Sequence, residues 1–211
     1  GSLRAAEHAH HSIAELIGDG MLCVGDALPS ERDLSRVFET ARGSLRMALN
    51  MLKRDGVVRI SHGKRTVVTG IRLRSGATPS DSDMDEAQRV LLRVRRLTSI
   101  VGIDDGQCRF ETAAARRLGV LAEMQKVAYD LPAFVIIDRE FHTELQGRCE
   151  TGELAPLFRL ADVLANSALR GAFEAQAVRG EIAEQHRAIV RALERGDGRA
   201  AKGAARPQRM V

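Results

Sequence analysis

The sequence has few aromatic residues: they make up 3% of the chain, with no tryptophan and a single tyrosine. Its core must therefore be built from leucine, valine, isoleucine and alanine, a composition that favours helices. No segment approaches the ~18 consecutive apolar residues of a membrane-spanning helix. The first residues also lack the hydrophobic core of a signal peptide. We therefore expect a cytoplasmic protein with no membrane contact.

Cysteine is also scarce. The three cysteines, Cys23, Cys108 and Cys149, are odd in number, far apart in the chain and without any CxxC spacing. This pattern argues against a disulfide framework and against a zinc knuckle, and it suits a reducing compartment.

Excess positive charge is confined to the first third of the chain. Residues 1–78 contain 12 lysines and arginines against 8 acidic residues, whereas the remainder contains 20 of each. Such a distribution indicates a small basic module that binds a polyanion, joined to a neutral domain with another task. A difference of four charges is also small enough to arise by chance.

The first seventy residues predict three helices followed by a hairpin. A helix is expected over residues 5–18. Ser30 and Asp33 then resemble a capping box that opens a second helix near Glu31. A third helix ends at Asp55-Gly56, and the β-rich runs "VVRI" and "TVVT" flank a turn at Gly63. This order is that of a winged helix-turn-helix domain over residues 1–70.

The remainder predicts a helical domain. Residues 71–83 are rich in glycine, serine and charge and are taken as a linker, which leaves residues 84–211 as the second domain. A helix is expected at the apolar stripe that begins at Val90. The helical pattern then continues through a segment with a candidate break at Gly119. Further helices are expected over residues 132–147, 156–174 and 181–195. The predicted fold is mainly α, with the winged domain followed by an all-helical antiparallel bundle.

The third helix carries a band of cationic groups. At ~100° per residue, Leu45, Ala48, Leu49 and Leu52 form one stripe, and Arg42, Arg46 and Lys53 cluster beside it. Arg42 lies near the helix N-terminus, where the helix dipole favours a phosphate, and Gly43 permits close approach of a backbone or base edge. The alternative is an ordinary solvated face.

The stretch "LPSERDLSRVFETARGSLRMALNMLKRDGVVRISHGKRTVVT" resembles the DNA-binding domain of the GntR family of bacterial transcription regulators, and its wing "HGKRT" is most similar to the FadR branch. The resemblance implies that arginines bind phosphates and guanines, that Ser44 binds a phosphate, and that the wing enters the minor groove. The candidate DNA-binding residues are Arg32, Arg42, Gly43, Ser44, Arg46, His62, Gly63 and Lys64. Ala41 and Gly43 replace the hydroxyl residues usual in the family, and Arg65 replaces a second wing glycine.

A second cluster lies in the helical domain. Asp138 and His142 are four residues apart and flank the apolar stripe of "PAFVIIDREFHTELQG", and His186 lies in line with the apolar residues of its own helix. An inward-facing acid and two imidazoles suit a divalent metal such as Zn²⁺, Ni²⁺ or Mn²⁺. The alternative is a hydrogen-bonded Asp138–His142 pair with His186 as a satisfied core residue.

The spacing of "D--FH" and "EQHRAIVRALERGD" resembles the FCD effector domain, the helical partner of GntR modules. The resemblance implies a metal held by an aspartate and three histidines that helps to bind a small organic acid. Asp138, His142 and His186 match three ligands, but the fourth position holds Gln208, next to Pro207. Water or an effector carboxylate could complete the coordination. Arg95 matches an arginine that holds the carboxylate, or it forms a surface salt bridge.

We therefore expect a ligand-responsive transcription regulator, a homodimer that represses from a palindromic operator and is released by a small organic acid. An acyl-CoA-responsive regulator without metal is the alternative. A metal-dependent hydrolase and a DNA-free interaction module are rival classes. Since no clear nucleophile or general base accompanies the Asp138, His142 and His186 set, we expect no enzymatic activity.

Overall fold

The structure is a computed structural model that describes residues 1–61, 63–70, 112–147 and 170–205. The chain divides into two compact units. One contains Gly1–Ala77 with Tyr129–Glu140, and the other contains Thr78–Ala128 with Phe141–Val211. The predicted linker, residues 71–83, lies outside the described residues, so the predicted domain boundaries stay predictions.

The first unit contains three helices and a two-stranded sheet, in the predicted order. Its elements are α1 (Ser2–Gly18), α2 (Glu31–Val37), α3 (Arg42–Arg54), β1 (Val58–Arg59) and β2 (Val67–Val68). The strands are antiparallel, with Val58 opposite Val68. Gly63 has φ +69° in the turn between them, a conformation that side chains disfavour. The predicted winged helix-turn-helix is confirmed.

The two helices of the helix-turn-helix begin differently. Ser30 caps α2, because its Oγ accepts the backbone N–H of Asp33 at 3.2 Å. Helix α3 follows Ala41, which has the extended backbone of a capping residue (φ −63°, ψ 146°) but no side-chain oxygen to accept a hydrogen bond. The backbone of Ala41 therefore has the geometry of a capping residue, but its side chain cannot accept a hydrogen bond from the first turn of α3.

We expect Ala41→Ser to raise the free energy of unfolding by about 0.5 to 2 kcal/mol, because a serine hydroxyl would accept one of the unpaired N–H groups of the first turn of α3. Chemical denaturation measures this change. Ala41→Val is the control, because valine offers no acceptor at the same exposed position. An equal gain in both variants would contradict the capping explanation.

The core of the first unit lies between α1 and α3. The buried side chains include Ile13, Leu16, Leu45, Leu49 and Leu52, each at most 2% exposed. Burial of this stripe of α3 fixes which side of the helix is left outside. The exposed side carries Arg42, Gly43, Arg46, Asn50 and Lys53.

The described part of the second unit is helical. Its helices are α4 (Thr112–Lys126), the second half of α5 (Leu131–Gly147), α6 (Gln176–Glu194) and α7 (Gly198–Ala205). Helix α5 is shared, because its residues as far as Glu140 belong to the first unit. The predicted fold, mainly α with a small wing, is confirmed. None of the described helices is long and apolar enough to cross a bilayer.

The described helices of the second unit differ from the sequence prediction at three main points. Gly119 does not break α4, because the apolar stripe that includes Leu118, Leu121 and Ala122 is buried, and this burial outweighs the ~1 kcal/mol cost of a helical glycine. Helix α6 begins at Gln176, five residues before the predicted start at Glu181. Helix α7 was not predicted, although Asp197 caps it by accepting the backbone N–H of Ala200 at 2.8 Å.

Candidate DNA-binding surface and metal centre

The N-terminal end of α3 presents two arginines to solvent. Arg42 is exposed, and the side chain of Arg46, one turn later, is 65% exposed. Its Nε donates a 2.8 Å hydrogen bond to Glu31 Oε2 on α2. An exposed ion pair of this kind contributes at most about 1 kcal/mol, so Glu31 holds Arg46 in place but can release it to a phosphate or a base.

Gly43 stands between these arginines on an open face. A Cβ added at this position would meet no other atom within 4 Å. Packing within the described residues therefore does not require a glycine here. The space that its missing side chain leaves is available to a ligand, which fits the predicted close approach of DNA.

Ser44 lies apart from the arginines. The residue is only 4% exposed, and its Oγ lies 2.9 Å from Ser2 Oγ on α1. Its predicted contact with a phosphate would require the Ser2 contact to be released. Arg32, in contrast, has a side chain that is 74% exposed and lies 3.7 Å from Asp33 Oδ1.

The wing presents Gly63 and Lys64 to solvent, while His62 lies outside the described residues. Arg65 turns back toward the protein. Its Nε donates to Leu28 O at 2.8 Å, and its Nη2 donates to Ala27 O at 3.0 Å and to Asp130 Oδ2 at 2.9 Å. The arginine that replaces a wing glycine is therefore a structural tie in the first unit.

Asp138, His142 and His186 come together as predicted. Each offers one ligand atom, and the three atoms lie within 4.8 Å of one another. Asp138 and His142 lie one turn apart on α5, and His186 comes from α6. Asp138 and His186 are buried, at 2% and 3% exposure, and His142 is half-buried.

This donor set fits a divalent transition metal. With bonds of about 2.1 Å, ligand atoms that are not opposite each other lie about 3 to 3.4 Å apart. A separation of 4.8 Å would therefore have to close by up to about 1.8 Å, or less than about 1 Å for each of the two groups. One carboxylate and two imidazoles suit Zn²⁺, Ni²⁺ or Mn²⁺. Three protein ligands leave at least one position for water or a carboxylate. Gln208 and Arg95, the predicted effector-binding residues, lie outside the described residues.

The ring of His186 is held on two sides. Its Nδ1 lies 2.6 Å from Oε1 of Gln125, which is 2% exposed. Phe141 stacks on it with ring centroids 3.9 Å apart and planes at 8°. Because a carbonyl oxygen only accepts, Nδ1 carries the proton, and Nε2 is the nitrogen with a lone pair for a metal.

Sequence reasoning did not identify Gln125. A signal was present, however, because Gln125 continues the buried stripe of Leu118, Leu121 and Ala122 on α4, where an apolar residue is expected. A polar side chain at such a position needs a partner. The partner, His186, lies 61 residues away in the sequence, so the pair could not be read from local spacing.

Arg187, next to His186, joins α6 to α4 on a more exposed side. It lies 2.7 Å from Glu184 Oε1 and 2.9 Å from Glu123 Oε1. The hydrogen bond with Glu184, followed by the charge of Glu123, raises the pKa of its guanidinium. Arg187 therefore stays cationic beside the histidine.

Two family models match the chain. One, "Bacterial regulatory proteins, gntR family", matches residues 5–68, and the other, "FCD domain", matches residues 109–207. The first contains α3 and the wing, and the second contains Asp138, His142 and His186.

Curated proteins and solved structures are similar to the chain, and the following three are among them. A fatty acid metabolism regulator protein of Klebsiella pneumoniae is 32% identical over 140 residues, 63% of this chain and 57% of that protein. The transcriptional repressor NanR of Cronobacter sakazakii is 38% identical over 66 residues, 31% of this chain and 25% of that protein. The chain thus matches no more than 57% of the length of either relative. The structure of "E. coli McbR/YncC" has a TM-score of 0.51 at 15% identity, with 95% of this chain and 91% of that chain covered, and this likeness concerns the fold.

Proposed function

The chain belongs to the GntR family of bacterial regulatory proteins, its second domain is an FCD domain, and on this basis we propose that it is a ligand-responsive transcription regulator of the cytoplasm. It binds a palindromic DNA operator as a homodimer and represses transcription. A small organic acid, held at a divalent metal by the helical domain, releases it.

The observation that carries the DNA-binding part is the exposed pair of guanidinium groups at the N-terminal end of α3. In a helix-turn-helix this end of the second helix enters the major groove. An arginine there can donate two hydrogen bonds to guanine O6 and N7, and the backbone N–H groups of the first turn favour a phosphate.

A homodimer and a palindrome are inferred from the size of this surface. One short helix reads few base pairs, and a two-fold dimer places a second copy on the next half-site, about one helical turn away. Repression is supported by the name of the Cronobacter relative, a transcriptional repressor. The effector acts by favouring one arrangement of the two reading helices over another.

The metal and the acid are inferred from the ligand set. Asp138, His142 and His186 would hold the ion, with Gln125 orienting His186. The ion would supply a Lewis-acidic position that binds a carboxylate oxygen. Acid binding and metal binding should therefore depend on each other.

An acyl-CoA effector bound without metal is the second candidate. It is favoured by the name of the Klebsiella relative, a regulator of fatty acid metabolism. The two candidates differ in their need for metal.

The deciding experiment measures release of the operator, a palindromic duplex that the protein selects from a random DNA pool. We expect short organic acids to weaken operator binding only in Zn²⁺- or Mn²⁺-loaded protein, and this effect to be lost in His142→Ala. Release by acyl-CoA after removal of metal would instead support the second candidate. Failure of every acid and every acyl-CoA to alter binding would contradict both.

The proposal excludes catalysis as the main role. A hydrolase built on the same ligand set would, when loaded with metal, turn over generic esters or phosphoesters. We expect no turnover above that of the free metal ion, and turnover lost in His142→Ala would overturn this part of the proposal.

A further inference from the structure

Helix α1 contacts the first half of α5 through a row of polar side chains. His8, Ser12 and Glu15 are spaced four and three residues apart and so share one side of α1. Ser12 Oγ donates to Glu140 Oε1 at 2.7 Å, and His8 Nε2 lies 2.9 Å from Glu140 Oε2. Glu15 pairs with Arg139. All of these residues belong to the first unit.

The carboxylate at the centre of this contact is buried. Glu140 is 5% exposed, and both of its oxygens have partners on α1. A buried ionic cluster is a weak source of stability, because desolvation offsets much of the attraction, and a well-packed apolar residue often serves as well. In addition, Arg139 Nη1 is buried and has no hydrogen-bond partner among the residues that the structure describes. The cluster fixes a particular alignment of α1 on α5 more than it stabilises the fold.

This alignment extends to the helix-turn-helix. The ring of His8, besides contacting Glu140, packs edge-on against Phe38 at the end of α2, with centroids 5.9 Å apart. At the other end of the same half of α5, Asp130 accepts the hydrogen bond from Arg65 of the wing. The first half of α5 is therefore linked by these contacts both to the DNA-reading helices and to the wing.

Helix α5 also carries two of the three candidate metal ligands. Asp138 lies two residues before Glu140, and His142 lies two residues after it, so Glu140 stands between the two ligands within little more than one turn. A helix is rigid over this length. A shift of α5 that brings the ligand atoms together on a metal would also shift Glu140.

We propose that Glu140 is a positioning residue, which by binding Ser12 and His8 makes α1 and the helix-turn-helix respond to what binds at Asp138 and His142. The inference rests on the metal centre proposed above for its trigger. The attachment of α1 to α5 rests only on the contacts described above and does not depend on the metal centre.

Amide hydrogen exchange with Zn²⁺ as the probe tests the inference. In the wild-type protein, Zn²⁺ should slow exchange in α5 and α6, where its proposed ligands lie, and also in α1, which contributes none of the three proposed ligands, by about fivefold or more. In the double variant His8→Ala, Ser12→Ala, slowing in α5 and α6 should remain, and slowing in α1 should be lost. A merely structural role would change exchange without metal and leave the Zn²⁺ effect on α1 in place.

His11→Ala is the matched control. His11 lies on α1 with a side chain that is 73% exposed, and its ion pair with Glu15 stays within that helix. We expect this variant to keep the Zn²⁺ effect on α1. The inference is overturned if Zn²⁺ slows α1 equally in the double variant, or if it slows α5 and α6 but not α1 in the wild-type protein.

Failure of the metal centre would give a different result. Zn²⁺ would then slow exchange nowhere. The contact of α1 with the first half of α5 is in that case tested by hydrogen exchange of the metal-free protein. There the double variant should speed exchange in residues 131–140 together with α1. Unchanged exchange in residues 131–140 would overturn the inference in that case as well.

Discussion

We expect replacement of both Arg42 and Arg46 by alanine to lower operator affinity by about 100-fold. A bidentate arginine–guanine contact contributes about 1 to 3 kcal/mol, so two contacts together contribute about 2 to 6 kcal/mol. In the unchanged protein, DNA binding must first break the Arg46–Glu31 ion pair. This costs up to about 1 kcal/mol and lowers the net contribution of Arg46. The lower part of the range is therefore expected, and 2.7 kcal/mol corresponds to about 100-fold.

The measurement is operator binding at several salt concentrations. Each lost phosphate contact should reduce the slope of log affinity against log salt by about 0.9. Lys53→Ala, Arg54→Ala removes the same charge from the other end of α3, and we expect it to lose less than about tenfold. Equal losses in the two double variants would mean that only net charge matters, and the proposed role of the α3 N-terminus would then be wrong.

Glu31→Gln is a control for which we expect the opposite change, a rise in operator affinity. It frees Arg46 from its ion pair at 2.8 Å, so affinity should rise by up to about fivefold. A fall in affinity would show instead that Glu31 is needed to orient Arg46 toward DNA.

We expect His142→Ala to lower the affinity for Zn²⁺ by about 100-fold or more. It removes one of three ligands, and loss of a residue that only orients a ligand already costs about 10- to 100-fold. His142 is the ligand chosen because it is half-buried, so its truncation leaves less of a cavity than truncation of His186 would.

The readout is thermal unfolding with and without Zn²⁺. At a free concentration about 100 times the dissociation constant, bound metal stabilises the folded state by about 2.7 kcal/mol. For a chain of this size, that stabilisation corresponds to a rise in Tm of about 5 to 10 °C. The rise should vanish in His142→Ala and remain in Glu144→Ala, a change at another half-buried position of α5. An undiminished rise in His142→Ala would place the metal elsewhere.

Gln125→Leu tests whether Gln125 orients His186 for metal binding. Leucine is close in size to glutamine but removes the acceptor that holds Nδ1–H of His186. Zn²⁺ affinity should fall by about 10- to 100-fold, which is less than for His142→Ala. Unchanged affinity would show that the stacking of Phe141 alone orients His186.

Local features of the structure were predictable because their causes lie within a few residues. Ser30 and Asp33 form the cap of α2 across three positions, and the alternating β-branched runs around Gly63 form the wing. Asp138 and His142 share one side of a helix because they are four residues apart. Helix α7 was missed because it is short and its buried positions, Ala201 and Ala205, are occupied by alanine and not by large apolar residues.

Tertiary packing decided the rest. Arg65 looked like a residue of the DNA-facing wing, but the carbonyls of Ala27 and Leu28 and the carboxylate of Asp130 hold it against the protein. The sequence analysis did not single out Glu140, which accepts a hydrogen bond from Ser12, 128 residues earlier in the chain, in the buried contact with α1.

The sequence by itself determined the order of the helices and strands in the first unit, the cationic end of α3 and the three candidate metal ligands, because helical periodicity and capping act over one or two turns. Only the tertiary structure decided which polar groups are buried and what satisfies them: Gln125 on His186, and Ser12 and His8 on Glu140. A buried polar group must find a partner wherever packing brings one within about 3 Å, and separation along the chain does not reveal which residue that is.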